Sequence, residues 1–72
     1  MENYVGMNFQ EWARLDEEDT REIHIVLESG KNTYYYSSYD EITPLEMEIL
    51  QESTILAVLL ISNEWFIRLH HD

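Results

Sequence analysis

The chain contains no cysteine, one proline and two glycines, and it sets four lysines and arginines against fifteen aspartates and glutamates. Without cysteine, disulfides, thiolate zinc sites and a thiol nucleophile are excluded. The absence also fits a reducing compartment. The start, MENYVGMNFQ, carries Glu2 and lacks the basic stretch and apolar run of a secretory signal, so a cytoplasmic location is expected. With so little glycine there is no phosphate-cradling Gly-rich loop, and no Gly-x-Ser-x-Gly is present. The longest apolar run, ILAVLLI at 55–61, falls far short of the ~20 residues that cross a bilayer as a helix. Scarcity of positive charge leaves a formal net charge of −11. Nucleic-acid phosphates and anionic lipids repel such a chain, so no direct nucleic-acid or membrane partner is expected. Its natural complement is a basic protein surface.

What is present argues for a folded chain. Of the 72 residues, 44% are hydrophobic and 12% aromatic, too apolar for the composition of a disordered segment, and the length allows one domain over 1–72. A domain of this size buries only ~60% of the surface its unfolded chain exposes, and its core alone supplies at most about 3–5 kcal/mol. Dense packing or self-association must make up the difference.

NFQEWARLD predicts a short helix over 8–16, with Phe9, Trp12 and Ala13 on one face and Gln10, Glu11 and Arg14 on the other. Asn8 is placed to cap it, Glu11 to complete a capping box, and Met7 with Trp12 to form a hydrophobic staple. In REIHIVL the period changes: Ile23, Ile25 and Leu27 alternate with Glu22, His24 and Val26, as in a strand with one wet face. ESGKN supplies a turn, and 33–39 reads as the returning strand of a hairpin, rich in tyrosine. ITPLEMEILQES repeats the helix-start pattern, with Thr43 as cap, Pro44 first, Glu46 closing the box and Ile42 against Met47, and the helix runs to about Glu52. TILAVLLIS has no alternation and reads as a strand covered on both faces; Ser62-Asn63 turns it into EWFIRLHH. The expected fold is α+β: a four-stranded antiparallel sheet with two short helices on one face, in the order α-β-β-α-β-β. Two layers cover one face of a sheet, and Phe66 points away from Trp65 and Ile67, so we expect a homodimer over the other face. The alternative is that the segment around Tyr4 and Val5 folds across it.

RLDEEDTRE puts Asp16, Glu17, Glu18 and Asp19 side by side. A calcium loop starting at Asp16 requires Gly at its sixth place and Glu at its twelfth, where Arg21 and Leu27 stand. His70 and His71 point to opposite faces of a strand, and His24 reads as a surface residue, so no metal site is expected. A catalytic carboxylate pair needs a partly desolvated cleft, for which so small a sandwich has little volume. We expect no enzyme activity and no cofactor.

Alternation along 33–39 sends Tyr35 and Tyr39 to one face and Tyr34 and Tyr36 to the other, so some phenols stay exposed, where they suit an interface or seal a dimer. Base stacking on them would need neighbouring Lys and Arg, whereas the neighbours are Glu28, Asp40 and Glu41. Carboxylates two apart on a strand (~6.6 Å) or four apart on a helix (~5–6 Å) approach the spacing of a phosphate ladder. The partner-binding candidates are Asp16, Glu17, Glu18, Asp19 and Glu22 on one side, and Asp40, Glu41, Glu46, Glu48 and Glu52 around the second helix, with Tyr34 and Tyr36 adding contact area. Such crowding destabilises the fold and exceeds the charge of ~2–8 that solubility requires, although a generic acidic surface remains an alternative.

Small size, absence of cysteine, extreme acidity and an aromatic core together resemble the small phage-encoded DNA-mimic inhibitors, whose targets include the nucleoid protein HU, CRISPR and restriction enzymes, and RNA polymerase. The resemblance implies an inhibitor in the host cytoplasm that occupies the DNA-binding surface of a basic protein. The alternative is another acidic interaction module, such as an immunity or antitoxin-like partner or a small adaptor.

Overall fold

A computed structural model describes residues 4–15 and 17–72. Asp16 lies outside the described residues. The chain forms α1 (Phe9–Ala13), β1 (Ile23–Ser29), β2 (Asn32–Tyr36), a 3-10 turn (Tyr39–Glu41), α2 (Pro44–Gln51), β3 (Thr54–Ile61) and β4 (Glu64–His71). The four strands make one sheet in the order β2-β1-β4-β3.

The expected α+β class and element order hold, but the sheet is mixed. The two hairpins are antiparallel as expected, whereas the central strands β1 and β4 run parallel, from Ile23 opposite Trp65 to Ser29 opposite His71. Chain direction explains the correction. A hairpin turn reverses the strand direction, but α2 carries the chain back along the layer, so β3 starts in the direction of β2 and β4 in that of β1. Once β1 and β4 are neighbours, they must be parallel.

Alternation buries Ile23, Ile25 and Leu27 of β1 and Ile67 and Leu69 of β4 on one face, with Tyr36 and Ile55 beside them. Phe9 of α1 and Leu50 of α2 close this core from the helix side. Thr43 and Glu46 form the expected capping box around Pro44. At α1 the Asn8 side chain accepts from the Gln10 amide, and the helix stops at Ala13, short of the expected end at 16. The second strand ends at Tyr36 rather than 39, because Ser38 caps the 3-10 turn and the Ser37 N–H donates to Glu41 Oε2 at 2.6 Å. Ser62 and Asn63 take φ of 52° and 65°, the pair of positive values that a tight two-residue hairpin turn requires.

Strand β3 is not covered on both faces as its composition suggests. It lies at the sheet edge with a bulge between Ile55 and Ala57, and Leu56, Leu59, Leu60 and Ile61 are exposed. Nor does the described segment around Tyr4 and Val5 cross the open face. The Gly6 and Ile55 amides donate to Ile55 O and Met7 O, both at 2.8 Å, so this segment pairs along the outer edge of β3. Tyr4 packs against the helix-side core.

Candidate partner-binding surface

The acids divide by what holds them. Asp19 is drawn inward: the Arg21 N–H donates to Oδ1 (2.9 Å), while Arg21 Nη1 (2.7 Å) and the Trp65 indole (2.9 Å) donate to Oδ2. The Arg21 amide first, and then the indole, hold this carboxyl below its usual range. Glu46 is similarly committed, accepting from the Tyr36 hydroxyl at 2.6 Å and the Thr43 amide at 3.0 Å, and the tyrosine bond is the main cause of its lowered pKa. Burial, then Glu46, pushes the Tyr36 phenol up to about 12. Tyr36 is only 7% exposed, so its ring is core rather than contact surface, while Tyr34 is 42% exposed.

The remaining candidates line the helix side or the loops next to it. Glu17 and Glu18 are exposed after α1, Asp40 and Glu41 are exposed in the 3-10 turn, and Glu48 on α2 and Glu52 at its C-cap are exposed. Glu17 and Asp19 line one cleft of about 400 Å³ together with Tyr39, the first residue of the 3-10 turn, whereas Glu18, Asp40 and Glu41 are not among its lining residues. The sequence reading missed Glu11, exposed on α1, although its place opposite Phe9 was a usable signal. Among cations, Arg21 is engaged by Asp19 and Asn63, and Arg68 by Glu28; Arg14 follows α1, and Lys31 sits in the β1–β2 turn.

Glu22 belongs elsewhere. With His24 and Glu64 it forms the one group of metal-ligating side chains found among the described residues, with donor atoms within 4.8 Å of one another. Two carboxylates and an imidazole suit a divalent cation chemically. Here His24 Nε2 already meets Glu64 Oε1 at 2.8 Å, and this contact is the first cause of the lowered Glu64 pKa.

No known protein family, curated protein or solved structure matches the chain. Its chemistry must therefore be read from its own two surfaces.

The second surface is the sheet face away from the helices. Val26, Tyr35, Ala57, Leu59 and Phe66 line a shallow apolar cleft of about 460 Å³ there, with Tyr35 77% and Leu59 55% exposed. Charges around it are paired. Arg68 grips Glu28 through two bonds of 2.7 and 3.0 Å, and His24, stacked 4.6 Å from Phe66, meets Glu64. One side of the molecule is thus acidic, and on the other, apolar side Arg68 pairs with Glu28 while Glu22 and Glu64 share His24.

Proposed function

We propose that the chain is a decoy of the DNA-mimic kind, whose acidic helix side occupies the basic DNA-binding surface of a nucleic-acid-binding protein. The observation that carries this reading is the one-sided surplus of carboxylates. Glu11, Glu17, Glu18, Asp40, Glu41, Glu48 and Glu52 are exposed from the helices and adjoining loops, with Arg14 as the nearby cation. Glu48 on α2 and Glu52 at its C-cap sit four residues apart, ~5–6 Å from each other by helical spacing, which suits successive Lys or Arg in a nucleic-acid groove. Asp19 and Glu46 serve mainly to shape this side, through the bonds to Trp65, Arg21 and Tyr36.

The open sheet face supports a homodimer. Two chains of charge −11 repel each other, and this apolar face, where Arg68 holds Glu28 and His24 meets Glu64, is where they can meet with least carboxylate crowding. Four strands at ~4.8 Å spacing and about seven residues at ~3.3 Å give a footprint of roughly 400 Å². That is small beside the ~800 Å² per partner of a standard interface, so the expected dimer is a micromolar one. It would carry two acidic sides pointing outward.

Displacement measures the decoy directly. Labelled duplex DNA bound to a basic nucleoid protein should be released by the chain, steeply less so as salt rises. Replacing Glu11, Glu17, Glu18, Glu48 and Glu52 by Gln should weaken release about 100-fold at low salt while the fold is kept. Binding alongside the DNA, with neither displacement nor salt dependence, would instead support an adaptor or immunity-type partner.

A further inference from the structure

The cleft beside α1 has walls that a purely electrostatic decoy does not need. Tyr4, Trp12, Tyr39 and Trp65 line it, with Glu17 and Asp19 among them. Successive rings stand nearly at right angles, Tyr4 to Trp12 at 82° and 6.4 Å, and Trp12 to Trp65 at 86° and 5.3 Å. Rings set this way form a corner rather than a flat patch.

We propose that this cleft receives one arginine side chain of the partner, its guanidinium against the aromatic walls and its charge toward Asp19 and Glu17. The identity of the carrier rests on the decoy reading, whereas the selection of an organic cation rests on the cleft alone. An anion would face the Glu17 carboxylate and an Asp19 carboxylate that already engages Arg21, the one cation among the described lining residues. A purely apolar ligand would strip water from Glu17 without replacing it. A guanidinium satisfies both requirements, since it stacks on aromatic rings and donates in a planar fork to carboxylates. The wall already tolerates one: Arg21 Cζ lies 5.9 Å from the Trp65 ring centroid while its Nη1 donates to Asp19 Oδ2. Arg21 is held at the rim by Asn63 Oδ1 at 2.7 Å, so it marks the chemistry of the wall and competes with an incoming guanidinium for the same carboxylate.

Trp12 and Trp65 are the two tryptophans of the chain, and both line the cleft, so intrinsic fluorescence reports on it directly. The probe is N-acetyl-arginine amide at low ionic strength, with the citrulline compound as its uncharged counterpart. A single side chain should give a saturable change with a midpoint of about 1–10 mM, at least about tenfold tighter than citrulline. Tyr39→Ala, at a residue 45% exposed and outside the core, should weaken the arginine probe about fivefold. Arg21→Ala, which removes the internal competitor, should tighten it about threefold if its far-UV circular dichroism matches the parent. A linear response, an equal response to citrulline, or unchanged affinity in Tyr39→Ala overturns the proposal. A cleft that binds the probe in a protein that never displaces DNA would remove the decoy and keep the site; displacement by a protein with an inert cleft would do the reverse.

Discussion

Replacing Leu50 by alanine tests whether the helix side is held as one rigid body with the sheet. Leu50 is completely buried, beside core residues Phe9, Ile55 and Leu69 that are at most 1% exposed. The substitution removes three carbon atoms, or about 2.4 kcal/mol of transfer free energy at ~0.8 kcal/mol for each methylene-sized group. How far the hole can close depends on α2, which is anchored at both ends. The capping box fixes its start, and beyond its end the buried Ser53 hydroxyl donates to Ile49 O at 2.7 Å while Ser53 O accepts from the Phe9 amide at 2.9 Å. Limited collapse adds a cavity term and brings the expected loss to about 3–4 kcal/mol.

A core that supplies at most about 3–5 kcal/mol would then be close to exhausted. In urea, with a slope of about 1 kcal/mol/M, the midpoint should fall by about 3 M, which for a small parent protein means substantial unfolding in water. DNA displacement should fail with it, although no charge has changed. Leu45→Ala is the matched control: Leu45 is on the same helix but 68% exposed, and its loss should stay within about 0.5 kcal/mol. A Leu50→Ala protein losing less than about 1.5 kcal/mol would refute the reasoning, because α2 would then be able to settle into the space and could not be a fixed platform for Glu48 and Glu52.

Sedimentation equilibrium at about 10–100 μM should give the mass of two chains for the parent and of one chain for Leu59→Glu, which puts a charge among the apolar residues of the open face. A parent of single-chain mass throughout, or a variant that stays paired, refutes the sheet-face dimer. Tyr36→Phe removes the hydroxyl that lowers the Glu46 pKa, a stabilisation present above the unfolded carboxyl value of 4.5 and lost as pH falls through the lower folded one. The gap between parent and variant in urea midpoint should therefore be open at neutral pH and close on acidification. At the alkaline end the signs reverse, because the folded phenol titrates higher than the unfolded one: the parent should lose this stability between pH 10 and about 12, and the variant should not. Parallel pH profiles for the two proteins would refute both assignments.

The parts of the fold legible in the sequence are the local ones. Thr43, Pro44 and Glu46 announce a helix start because each satisfies a backbone requirement within four residues, and Ile23, Ile25 and Leu27 announce a half-buried strand by alternation. Sheet order is not local, since two hairpins can pair through either edge; yet the parallel centre follows once α2 is recognised as a return path. The run at 55–61 misled because apolar density does not distinguish a central strand from an edge strand whose outer face is bare. The tyrosines were half-legible, since alternation separates Tyr35 from Tyr34 and Tyr36 without saying which side meets the helices. At the candidate site, exposed acids on α2 follow from helical periodicity. The inward roles of Asp19 and Glu46 do not, because their donors Trp65 and Tyr36 lie 46 and 10 residues away.

The central strand pair limits the acids of the open sheet face to a few, Glu22, Glu28 and Glu64 among them. His24 lies opposite Phe66, Val26 opposite Arg68 and Glu28 opposite His70, so an unbalanced carboxylate there would stand within a few ångströms of other side chains on a flat, partly apolar surface. Each acid on that face has a cation or imidazole beside it, and the surplus is carried by helices and loops, where side chains can splay into water. The electric field of the molecule is therefore directional. Under the proposed decoy role, contacts on the helix side would depend on long-range attraction and weaken as the Debye length shrinks from ~30 Å at 0.01 M to ~10 Å at 0.1 M salt. Contacts on the sheet side depend on apolar burial, and screening the residual repulsion between two chains of charge −11 favours them. Ionic strength should thus act in opposite directions on the two proposed interfaces, so that a single salt series would separate pairing of the chains from capture of a basic partner.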